Sequence, residues 1–128
     1  MGGYFWLFLL GIYINLLKHK EKKKIIEILD KRIQATRDDY HRQMERHEKD
    51  KRQVAPNSVE AASRIRAFSM VKEMLDNPSP LQDIKDYIKD LNNEHPKTDL
   101  MNQWNDSMIR TFKESLELVG MLNNKHNV

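Results

Sequence analysis

The chain has 128 residues, with 22 Lys plus Arg against 19 Asp plus Glu and a net charge of +3. That length suits one small domain, and a mean hydropathy of −0.77 excludes a multi-span channel or carrier. Zero cysteines, four glycines and four prolines exclude a disulfide scaffold, thiol chemistry, Cys-ligated metal and collagen-like or low-complexity chains.

Apolar residues gather at the start. Residues 1–17 read MGGYFWLFLLGIYINLL, without a charged side chain. A helix of that length reaches roughly 25 Å, against a hydrocarbon core of about 30 Å. The pattern predicts an N-terminal single transmembrane helix whose lipid-facing residues are Tyr4, Phe5, Trp6, Leu7, Phe8, Leu9, Leu10, Ile12, Tyr13, Ile14, Leu16 and Leu17. A cleaved signal peptide would need a basic start and a small-residue cleavage site, and neither is present. An interfacial helix should be two-faced, whereas residues 4–14 are apolar nearly all round. Asn15, the polar exception, is expected at headgroup depth beside Lys18. Five lysines then follow within seven residues: Lys18, Lys20, Lys22, Lys23 and Lys24. They predict contact with anionic lipid. The positive-inside rule places them in the cytoplasm with the C-terminal part, leaving the N-terminus outside.

Residues 18–53 form the second expected unit, a long basic helical stem. No Gly or Pro interrupts the chain between Ile12 and Ala55, so the helix should run on to about residue 52. Ile25, Leu29, Ile33, Tyr40 and Met44 recur at helical spacing and suggest a short coiled coil near the membrane. Beyond Ile33 the stripe fades into charge, where pairs such as Glu27–Lys31, Asp38–Arg42, Arg42–Glu45 and Glu45–Lys49 are expected to support a solvated helix. The stem carries 13 Lys plus Arg and 8 Asp plus Glu. Its acids are interspersed and only Tyr40 offers an aromatic ring, so the pattern argues against nucleic-acid binding.

Residues 54–128 are the third unit, a helical head. Pro56 breaks the stem, and Asn57 with Glu60 has capping-box spacing. Val59, Ala62, Ile65, Phe68, Val71, Met74 and Leu75 predict a helix ending near Asp76-Asn77-Pro78. Ser79-Pro80 restarts the chain with a cap and a proline at the first helical position, and Leu81, Ile84, Ile88 and Leu91 line that next helix. Thr98 or Asp99 caps the last one, whose apolar side carries Leu100, Met101, Trp104, Met108, Ile109, Phe112, Leu116, Val119 and Leu122. The expected fold is therefore all-α, with a small three-helix C-terminal bundle. So small a core should gain from packing on the stem or on a second copy. Met101, Trp104, Met108 and Phe112 are either core or a partner surface.

The sequence offers no catalytic signature. Glycines at 2, 3, 11 and 120 cannot build a phosphate-cradling loop, and no metalloprotease or nucleophile-elbow motif occurs. Asp38, His41, Glu45 and Glu48 share one helical face and have ligand chemistry. Arg37, Arg42 and Lys49 beside them favour a salt-bridged surface instead. No enzyme activity, metal, cofactor or small-molecule substrate is expected. The pattern points to a non-catalytic membrane-anchored adaptor, assembly factor or accessory subunit, with membrane lipid and a protein partner or second copy as its contacts. A membrane-perturbing lysis or toxin-like single-span protein is the first alternative, and a basic nucleic-acid-binding helical protein ranks behind it.

Overall fold

The structure is a computed structural model. It describes residues 2–96 and 98–124, except for the side chains of residues 2, 14, 15 and 122–124. Four helices follow one another: α1 (Gly2–Lys49), α2 (Ser58–Met74), α3 (Pro80–Asn93) and α4 (Asp99–Asn124), with no strand among the described residues.

Local chemistry sets the helix ends. α1 stops three residues earlier than its composition predicts, and not at Pro56. Asp50 ends it: its carboxylate accepts from the Arg52 amide at 3.0 Å, and its carbonyl accepts from the Gln53 amide at 3.0 Å. A short acidic side chain that bonds its own backbone two residues on is a turn former. The Asn57 side chain accepts from the Glu60 amide at 3.1 Å, as the capping spacing predicts. Ser79 differs: it sits at the N-cap of α3 without a side-chain hydrogen bond there, and Pro80 at the first helical position has no amide to satisfy. Thr98 Oγ1 accepts from the Met101 amide at 3.2 Å and closes the start of α4.

A single core joins the elements. α2 and α4 run parallel at its centre and α3 packs mainly on α4. Ile25, Leu29 and Ile33 of α1 are buried against the same cluster as Phe68, Val71, Ile84, Phe112 and Val119. The middle of the stem is therefore the fourth helix of the bundle. Its apolar stripe meets the head of its own chain, which removes the stripe from any coiled coil with another α1. Two ion pairs reinforce the antiparallel α1–α2 seam: Lys72 Nζ to Asp30 Oδ1 at 2.5 Å, and Lys22 to Asp76.

The core face of α4 is rotated from the one its sequence predicts. Ser107, Thr111, Ser115 and Leu118 are buried, while Leu100 and Met101 are exposed and Ile109 and Leu116 are half-buried. The small hydroxyl residues lie where α4 approaches its neighbours. The Ser63 and Ser107 hydroxyls are 2.6 Å apart. Thr111 Oγ1 donates to the Ser107 carbonyl at 2.8 Å and Ser115 Oγ to the Thr111 carbonyl at 2.9 Å. Each hydroxyl thus has a partner inside the protein, which removes most of the cost of burying it.

One expectation needs correction here. Among the described residues no helix is long and apolar enough to cross a membrane. The charge-free part of α1 ends at Lys18, and Gly3, Gly11, Tyr4, Tyr13 and Asn15 dilute its hydropathy. The crossing predicted from the sequence is therefore unsupported. Of the residues named for it, Ile14 lies outside the described side chains, as does Asn15.

Candidate membrane and partner surfaces

The bundle begins at about Lys22, so the first five turns of α1 project beyond it. α1 as a whole is 48 residues, about 72 Å long. Every large apolar residue described in its projecting part is exposed: Tyr4, Phe5, Trp6, Leu7, Phe8, Leu9, Leu10, Ile12, Tyr13, Leu16 and Leu17, from 83% for Tyr4 to 38% for Leu17. Contiguous exposed apolar surface beyond a few hundred Å² marks a site of association, and this one covers the helix on all sides.

The lysines just behind it are not equivalent. Lys18, Lys20, Lys23 and Lys24 are exposed, whereas Lys22 is half-buried and bonded to Asp76 in the α2–α3 turn. One member of the expected lipid-contacting set is thus held by the head. The pair also places that turn level with the lysines, only five residues, or about 8 Å, beyond Leu17.

At the other end of the bundle α1 is loosely held. Ile33 is its last buried residue, and beyond it Ala35, Thr36, Tyr40 and Gln43 face Pro56, Asn57 and Glu60 across a groove of about 350 Å³. Glu114 takes two guanidinium groups there, Arg32 Nη1 at 3.3 Å and Arg64 Nη2 at 3.2 Å. Arg32 Nη1 is fully buried and makes no hydrogen bond. Its contact with Glu114 is an ion pair without hydrogen-bond alignment. Arg64 also lies over the Phe68 ring, 5.1 Å from the centroid. The groove's arginines are occupied by Glu114, and Asp39 and Glu60 add negative charge to its wall.

The four residues weighed as core or partner surface divide. Met108 and Phe112 are buried, with Phe112 packed 5.4 Å from the Tyr87 ring. They belong to the core and offer nothing to a partner. Met101 is 47% exposed and Trp104 half-buried, so these two remain at the surface. Val59 and Leu100 join them there and line one apolar groove.

The acidic and histidine face of α1 is exposed throughout. Asp38 accepts from Gln34 Nε2 at 3.0 Å, and the His41 ring meets Tyr40 edge-on. Arg42 pairs with Asp39 rather than with Asp38 or Glu45. Among the described residues no group of three or more His, Asp or Glu is placed to hold a metal ion.

No protein-family model, no curated protein and no solved structure matches this chain.

Proposed function

We propose that the protein is a non-catalytic, membrane-attached adaptor, whose α1 tip seats in lipid and holds a helical head at the cytoplasmic face. The observation that carries this reading is the exposed apolar tip of α1, with four exposed lysines directly behind it. Full burial of a large apolar side chain is worth about 1.5–3 kcal/mol, so even partial burial of eleven such residues outweighs the cost of ordering a helix that already exists. The lysines favour the anionic cytoplasmic leaflet by about 1 kcal/mol per charge. The Lys22–Asp76 pair supports an orientation with the α2–α3 turn toward that surface. Its physical work is to raise the effective concentration of the head near partners in or on the same membrane.

Flotation tests the reading. The full chain should rise with vesicles containing anionic lipid and resist alkaline carbonate washing, and a chain lacking residues 2–17 should remain in the dense fraction. A full chain that stays dense with such vesicles would overturn the proposal. If residues 1–24 alone release a dye from the vesicles, the membrane-perturbing role replaces it.

A further inference from the structure

The bundle core has one open end. The core-facing stripe of α4 starts at Leu100, while α2 offers its first apolar residue at Val59 and α3 has already ended at Asn93. The first turn and a half of α4 therefore lies beyond the end of α3, with the first turn of α2 beside it. Val59, Leu100, Met101 and Trp104 border a groove of about 280 Å³ with Asn105 at its side. Leu100 is 62% exposed, although it continues the stripe that is buried further along the helix.

The frame of this opening is acidic. Among the described residues, Glu60 follows Val59 in the first turn of α2, Asp99 precedes Leu100 at the start of α4, and Glu94 stands in the loop after α3. Glu94 Oε2 accepts from Asn105 Nδ2 at 3.0 Å, and Glu60 lies 3.9 Å from Arg110, the cation that partly offsets the frame. Lys97 lies outside the described residues.

We propose that this opening docks an amphipathic helix of a partner protein, with Lys or Arg flanking its apolar face. An apolar groove at the end of a helix pair takes such a helix through anchors spaced three and four residues apart. Trp and Met are suited to gripping it, and acidic flanks steer basic partners and repel acidic ones. Two other occupants fit poorly. Anionic lipid is opposed by the carboxylates and lies far off: α2 starts alongside residues 36–43 of α1, about 30–40 Å beyond the apolar tip. A second copy of the basic stem has already buried Ile25, Leu29 and Ile33 in its own bundle. The inference rests on the adaptor reading and supplies the chemistry of its partner.

Trp104 reports on the site. The chain has two tryptophans, so Trp6→Phe leaves Trp104 as the sole emitter. The full-length W6F chain in phosphatidylcholine nanodiscs is titrated with an 18-residue peptide of Leu and Lys at helical spacing, and with its Leu and Glu counterpart. The Lys peptide should shift Trp104 emission to the blue and saturate. Binding should weaken about tenfold or more in the L100S/M101S double variant. It should also weaken as ionic strength rises from about 0.1 to 1 M, where the screening length falls from about 10 to 3 Å. Equal response to both peptides, no response to either, or unchanged binding by L100S/M101S overturns the proposal. Circular dichroism checks that the double variant is folded, and flotation of the same variant is read separately. Loss of peptide binding with retained flotation concerns the groove alone, whereas loss of flotation concerns the membrane reading.

Discussion

Leu29→Ala asks whether stem and head are one folding unit. Leu29 is 0% exposed at the centre of the Ile25–Leu29–Ile33 stripe that α1 gives to the core. Removing a buried leucine side chain costs about 2.7–5 kcal/mol, the larger figure applying where neighbours cannot relax into the space. Leu29 is fully buried where α1 packs on α2 and α4, so the upper half of that range is expected. A domain of this size has about 5–15 kcal/mol of stability in all, and the substitution should remove a large part of it. At about 4–8 °C per kcal/mol for a domain near 100 residues, the melting temperature falls by roughly 15–40 °C. The surface ion pairs of the same seam are each worth about 0–1 kcal/mol, and Asp30→Asn should change it far less. Urea unfolding of the chain lacking residues 2–17, followed by far-ultraviolet circular dichroism and Trp104 fluorescence, measures both. A Leu29→Ala chain that loses less than about 1 kcal/mol, or whose two probes show separate transitions, would refute the single-core description.

Other substitutions separate the remaining contacts. Phe112→Ala should cost about 3–5 kcal/mol and unfold much of the population, whereas Met101→Ala should leave the thermal melt almost unchanged because its side chain packs little. Asn57→Ala should lose about 0.5–2 kcal/mol through the Glu60 amide it leaves uncapped, and Asn57→Gly only a few tenths; chemical denaturation ranks the two. Replacing Lys20, Lys23 and Lys24 with Gln should weaken binding to anionic vesicles by about 3 kcal/mol, roughly a hundredfold, with little effect on neutral vesicles. Lys22→Gln alone should change vesicle binding less than Lys23→Gln does, since Asp76 already holds Lys22.

The helices were legible because helix formation is governed by signals close in sequence. The cap at Asn57, the proline at position 80, the threonine at 98 and the apolar period of Leu81, Ile84, Ile88 and Leu91 each act within one or two turns. The same local reading located the apolar tip and its lysines, since these depend on composition alone. It overreached where it asked that tip to cross a bilayer, because a crossing needs length and hydropathy together.

Tertiary structure decided the rest, through contacts between residues dozens of positions apart. Sequence period cannot say whether Ile25, Leu29 and Ile33 meet a second stem or their own head; only the packing of α1 on α2 and α4 does. It cannot foresee that Asp76 reaches Lys22. Nor can it see that close approach of α2 and α4 buries Ser63, Ser107, Thr111 and Ser115, turning α4 so that part of its apolar stripe faces out. A helix shows several candidate faces, and which one is buried depends on the size and position of its neighbours. The groove at Leu100 and Met101 exists for that reason: the start of α4 lies beyond the end of α3.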